Sequence, residues 1–186
     1  SKCDAANLQD GREYLERMQS AAARMQKLIE DLLTFSRVIS ATQPFVPVDL
    51  GVVTHEVLTD LEVRIEQSKA KVELGSLPTI EADPLQMRQL LQNLIGNALK
   101  FQPPDALPLI KNYAEIRKSP FDDAGQPLPT DELCELTIED NGIGFEEKYL
   151  DKIFSVFQRL HGRTEYEGTG VGLAVCRRIT DRHSGT

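Results

Sequence analysis

Asn93, Asn97 and Lys100 are spaced by four and three residues within the run LQMRQLLQNLIGNALKF at 85–101. A helix there carries all three on one face. Two amide oxygens and an ammonium on one stripe suit a magnesium ion bridged to phosphates. Asn93, Gly96 and Asn97 each cost such a helix roughly 0.5–1 kcal/mol relative to Ala. The competing reading is a polar stripe turned to solvent.

Three more segments carry chemistry. Residues 136–145, LTIEDNGIGF, read as a strand that ends at Asp140 and enters a turn with Gly142 and Gly144. Glycine lets a flat ligand approach the backbone, and a carboxylate at a strand's end accepts a hydrogen bond from an exocyclic amine, favouring adenine over guanine. A D-N-G hairpin turn is the alternative, weakened by the helical sequence that follows. Gly168-Thr169-Gly170-Val171-Gly172-Leu173 opens the last helix, whose unsatisfied N–H groups bind phosphate oxygens. It lacks the Lys-Ser/Thr of a P-loop and does not follow a strand, which disfavours both common nucleotide folds. Phe154 and Phe157 anchor a helix end before the polar loop 158–167, which holds Arg159, His161 and Arg163. A loop of that length is a candidate lid whose cations meet a triphosphate. Against it stands a plain core Phe pair with solvated arginines.

These residues need elements to position them. Residues 13–39 carry Leu15, Met18, Ala22, Met25, Ile29 and Leu32 in steps of 3 and 4, a coiled-coil seam that requires a partner helix. The polar stretch 1–12 cannot supply one. Residues 45–48 read as an extended entry. Asp49 caps a helix with Leu50, Val53, Val57, Leu61 and Ile65 on one face. Residues 72–74 and 79–82 are short strands, and Asp83-Pro84 starts the helix that runs to Phe101. Strands at 109–117 and 133–139 flank a long exposed hairpin loop, 118–132. A helix over 146–157 and a last one from about 170 to 182 complete the order. Helices and mostly antiparallel strands in this sequence predict an α+β two-layer sandwich with a mixed sheet, preceded by a long coiled-coil-type helix.

The 186 residues make one domain of about 150 and a remainder. A net charge of −8 argues against nucleic acid, because phosphate contacts need clustered cations. No apolar run approaches the ~18 residues of a membrane span. Cys3, Cys134 and Cys176 are scattered without a C-x-x-C pair, so neither a zinc site nor a disulfide framework is expected, and a reducing, cytoplasmic setting is the default.

Together and in this order, the four segments resemble the ATP-binding domain of sensor histidine kinases, a branch of the superfamily shared with gyrase and mismatch-repair ATPases. QNLIGNALKF resembles the N box, EDNGIGF the G1 box, FSVF the F box and GTGVGLAV the G2 box. FQRLHGRTEYEGTGVGLA further resembles phytochrome-type kinases. The heptad helix matches the second helix of that family's dimerisation and phosphotransfer hairpin. This implies residues 1–43 as a partial hairpin and 44–186 as a catalytic domain truncated at its C-terminal end.

By the resemblance, Asn97 is a magnesium ligand, Asn93 supports metal and phosphates, and Lys100 contacts phosphate. Asp140 reads the adenine amine. Gly142, Gly144, Gly168, Gly170 and Gly172 allow close approach, with Thr169, Val171 and Leu173 in the same turn. Phe157, Arg159, His161 and Arg163 belong to the lid region. Hydrolysing relatives carry a glutamate base four residues before the metal-binding Asn; Asn93 stands there and cannot take a proton from water. Implied cofactors are ATP and Mg²⁺. Implied partners are a response regulator receiver domain and a second copy joined through the N-terminal hairpin. The acceptor histidine is expected upstream of residue 13; His55 lies after the hairpin, and His183 reads as an ordinary surface residue of the last helix. An ATP-hydrolysing enzyme and a non-catalytic docking or dimerisation module are the rival readings.

Overall fold

The computed structural model describes residues 2–40, 44–104, 106–118, 132–160, 166 and 168–185, with side chains in the first segment from 11, 12, 14–33, 35 and 36. The first helix, α1, runs Lys2–Ser40, so it takes in the stretch 2–12 that the sequence reading left outside it. Gly11 sits inside the helix, at a cost of about 1 kcal/mol that a helix this long tolerates.

The short strand β1 (Val46–Asp49) leads directly into α2 (Leu50–Asp60), capped by Asp49, whose Oδ1 accepts the N–H of Val52 at 3.1 Å. Leu50, Val53 and Val57 are buried on its inner face, and α3 (Glu62–Ser68) continues the path after a break at Leu61. β2 (Lys71–Leu74) and β3 (Thr79–Ala82) follow. Asp83 then caps α4 (Pro84–Lys100), its Oδ1 accepting from Leu85 and Gln86. With Pro84 at the first position, both start signals operate together.

β4 (Leu109–Lys118) and β5 (Glu132–Asp140) pair antiparallel over their length, and β2 joins β4 in parallel. β1 and β3 form a separate antiparallel pair. The strands therefore form two sheets, of which β2-β4-β5 is mixed, with α2 and α4 packed on them and α6 (Gly172–Arg182) packed on α4. Leu50, Val57, Leu91, Ile95, Ile110 and Ile179 form the fully buried centre. The expected hairpin loop lies mostly outside the described residues.

The helix expected over 146–157 is much shorter: a single 3₁₀ turn at Glu147–Tyr149 and α5 at Leu150–Ile153. Phe157 takes φ 66° and gives its N–H to the carbonyl of Gly170 at 3.0 Å. That left-handed conformation cannot continue a helix.

Candidate nucleotide site

The four chemistry-bearing segments converge on one cleft of about 820 Å³, bounded by α4, the end of β5, the turn before α6 and one side of α1. α4 supplies Asn93, Asn97 and Lys100, the β5 end supplies Asp140 and Gly144, and the glycine-rich turn supplies Gly168, Thr169, Gly170, Val171, Gly172 and Leu173. Arg159 also lines it, whereas Gly142 and Phe157 do not. His161 and Arg163 lie outside the described residues.

Asn93 is fixed at both ends of its carboxamide. Oδ1 accepts from Gln89 Nε2 at 3.1 Å, and Nδ2 donates to the carbonyl of Gly172 at 3.2 Å. It therefore ties α4 to the first residue of α6. Asn97, one turn on, lines the cleft without a side-chain hydrogen bond to another described residue. The Lys100 ammonium lies 4.0 Å from the Phe101 ring centroid and against Gly168, where an added Cβ would come within 2.7 Å of Nζ.

Asp140 is held by the turn that follows it. Its Oδ1 accepts the N–H of Gly142 at 2.8 Å, which orients the carboxylate and leaves acceptor capacity on the group. Gly142 itself faces the end of α4: an added Cβ would stand 2.3 Å from the carbonyl oxygen of Phe101, which also accepts from Ile143 at 2.9 Å. The need for glycine at 142 thus comes from the chain's own backbone, not from a ligand in the cleft. Asn141 pins the other side, accepting from Leu109 N–H at 2.8 Å and donating to Leu107 at 3.0 Å.

α6 carries no side-chain cap at its N-terminus. Its first-turn N–H groups have no side-chain cap among the described residues, and the helix dipole favours an anion there. Gly170 (φ 75°) is demanded by geometry, since an added Cβ would meet the carbonyl of Gln158 at 2.6 Å. Arg159 differs from expectation. It donates to the carbonyl of Gly168 at 2.7 Å and to that of Tyr166, so here it braces the turn. Phe157 is exposed and contributes only its backbone N–H to Gly170.

Sequence reasoning missed four contributors, one in the loop and three on α1. Tyr166 lines the cleft, tilted against Phe101 at 5.2 Å between ring centroids, with its hydroxyl donating to the carbonyl of Gln102 at 3.1 Å. An aromatic inside a polar loop was the available signal. Lys27, Glu30 and Asp31 of α1 line the cleft as well, and nothing local to α1 signals that.

The donors bear on a metal. Among the described residues no three His, Cys, Asp or Glu side chains could hold an ion together. A cation here would need oxygens from a bound ligand, the usual situation for Mg²⁺, which takes few protein ligands alongside substrate phosphates and water. The Asn97 amide oxygen fits that role.

A family model described as histidine kinase-, DNA gyrase B-, and HSP90-like ATPase matches residues 82–186. The phytochrome-like protein Cph1 of Synechocystis sp. is 36% identical over 177 residues, 95% of this chain and 22% of that protein. The methanogenesis regulatory histidine kinase FilI of Methanothrix harundinacea is 30% identical over 172 residues, covering 92% of this chain and 18% of that one. The chain thus spans about a fifth of the length of such relatives. Among solved structures, full-length ShkA in complex with AMPPNP has a TM-score of 0.67 at 24% identity, covering 94% of this chain and 34% of that chain. The Acinetobacter baumannii histidine kinase AdeS has a TM-score of 0.62 at 24% identity, covering 90% and 72%. These two likenesses are of fold.

Proposed function

The chain belongs to the histidine kinase-, DNA gyrase B-, and HSP90-like ATPase family, and from that premise we propose that it is the ATP-binding catalytic region of a sensor histidine kinase. The observation that carries this is the meeting of Asn97, Lys100 and Asp140 around an α6 N-terminus that no side chain caps. In this reading Asp140 accepts from the adenine amine, Lys100 and the α6 N–H groups take phosphate oxygens, and Asn97 with support from Asn93 holds Mg²⁺. The ion supplies charge neutralisation on the phosphates. Positioning and electrostatics are most of what phosphoryl transfer requires of a protein.

Residues 1–43 act as half of a dimerisation and phosphotransfer hairpin and 44–186 as the ATP-binding domain. Leu15, Met18, Met25, Ile29 and Leu32 are exposed along α1, which supports a second copy as the partner of that stripe. The γ-phosphate goes to a histidine outside this chain, and from there to a response regulator aspartate. No helix among the described residues is long and apolar enough to cross a membrane, and a cytoplasmic setting suits this chemistry.

Asn93, a residue that cannot serve as general base, supports transfer over hydrolysis. Titration with a fluorescent adenine nucleotide tests the reading: binding strengthened by Mg²⁺ is expected, and folded protein that binds none overturns it. Incubation with γ-labelled ATP is expected to leave the chain unlabelled; steady phosphate release would favour a hydrolysing enzyme, and stable label on His55 would reassign the acceptor.

A further inference from the structure

Asp31, about three-quarters of the way along α1, reaches the glycine-rich turn across 138 residues of sequence, where the Thr169 hydroxyl donates to its Oδ2. Lys27, one turn earlier, holds the same carboxylate at 3.0 Å. Phe35, one turn later, packs against the buried core. The helix is therefore seated on the domain at this point. Lys27, Glu30 and Asp31 line the same cleft as Asn93, Asn97 and Lys100. Two carboxylates against one ammonium leave that wall of the cleft net negative, at the end where α6 would receive phosphate.

A hydroxyl has one proton to give. If Thr169 donates to Asp31, it does not donate to a phosphate oxygen at the α6 N-terminus. Lys27 pairs with the Asp31 carboxylate and offsets part of its charge, so the competition runs chiefly through the Thr169 proton.

We infer that Asp31 competes with the ligand's phosphates for Thr169, so that seating of α1 and binding of a nucleoside triphosphate oppose one another. The inference rests on the ATP-binding reading. Because linkage is reciprocal, whatever affinity the seated helix removes from the triphosphate, the triphosphate removes from the seating of α1. Asp31 is then a regulatory residue: it sets how readily α1 detaches when nucleotide is present.

The test compares the chain 1–186 with its Asp31→Ala variant, titrating each with a fluorescent Mg·ATP analogue and, in competition, with adenosine. Asp31→Ala is expected to tighten the triphosphate by about fivefold, the scale of one net hydrogen bond, and to leave adenosine unchanged. Unaltered triphosphate affinity in the variant, with the parent chain binding normally, overturns the inference and leaves the ATP-binding reading standing. An equal gain for adenosine overturns it too, because Asp31 would then act by occluding the cleft and not through phosphate. If neither chain binds triphosphate, the ATP-binding reading falls and takes the inference with it.

Discussion

His183 accepts the main-chain N–H of Asp83 on Nε2 at 3.1 Å, while its Nδ1–H donates to the carbonyl of Ile179 at 2.8 Å. The residue that closes α6 thereby holds the residue that opens α4, 100 positions away. The two bonds require the neutral ring protonated on Nδ1. Arg182 reinforces the joint with a 3.2 Å contact to Asp83 Oδ2, and Phe45 stacks on the imidazole at 4.4 Å and 4°. This corrects the expectation of an ordinary surface histidine. The helices that carry Asn97 and the glycine-rich turn are clamped at the ends remote from the cleft.

The clamp predicts a graded loss. His183→Ala removes two hydrogen bonds and a ring contact and is expected to lower stability by about 2 kcal/mol. His183→Phe keeps the stack on Phe45, loses both hydrogen bonds and leaves the Asp83 N–H unpaired, so it recovers only part. Urea denaturation of the two variants checks this; equal stability to the parent chain in both would dismiss the clamp.

Gly142 and Gly144 predict opposite kinds of cost. Gly142→Ala drives a methyl into the Phe101 carbonyl at 2.3 Å and the Asp140 carboxylate at 2.6 Å, both parts of the frame that seats the turn on α4. A loss of about 2–3 kcal/mol is expected, since the nearer neighbour, the Phe101 carbonyl, is backbone at the end of α4 and cannot swing aside as a side-chain tip can. Gly144→Ala meets nothing within 4 Å and costs only its left-handed φ of 60°, about 1 kcal/mol. Thermal denaturation ranks the two.

Much of this site was legible because its signals are local. Asp49 and Asp83-Pro84 mark helix starts through caps that need no distant partner, and the 93, 97, 100 spacing fixes a shared face by helical geometry alone. What escaped depends on tertiary partners. Arg159 reads as a cation for phosphate but finds the carbonyls of Gly168 and Tyr166. Phe154 and Phe157 keep the three-residue spacing of a helix, yet the Gly170 carbonyl captures the Phe157 N–H and turns the chain aside. Asp31 and His183 each act through a residue at least 100 positions away, beyond any window of periodicity.

Asp140→Asn separates charge from shape. An Asn carbonyl oxygen can still accept from Gly142, so the turn is expected to keep its stability within about 0.5 kcal/mol. On the proposed reading a charge-assisted hydrogen bond to an adenine amine is lost, and binding of an adenine nucleotide is expected to weaken by more than ~1 kcal/mol. Calorimetric titration beside a melting curve reads both. Unchanged affinity would remove Asp140 from the base-recognition role.

Cys176 reports the packing of α6 on α4. Burial pushes its thiol up to about 12 from an ordinary 9.0, against a smaller lowering by its hydrogen bond with Asn93. In the native chain at pH 8 only on the order of one thiol in 10⁴ is ionised, so Cys176 is expected to resist iodoacetamide until the protein unfolds. The same burial sets a pH arm. As pH rises past 9, the unfolded thiol releases its proton and the folded one does not, so the unfolded state is favoured. Stability then falls by about 1.4 kcal/mol per unit from that cause until the folded thiol itself ionises. Cys176→Ala removes this contribution while leaving Lys71 and Tyr113, which also titrate at high pH, common to both chains. The stability gap between parent and variant is expected to shrink or invert between pH 8 and 10.5 in denaturant titrations, and a gap that stays constant would mean the thiol is not held in an apolar environment.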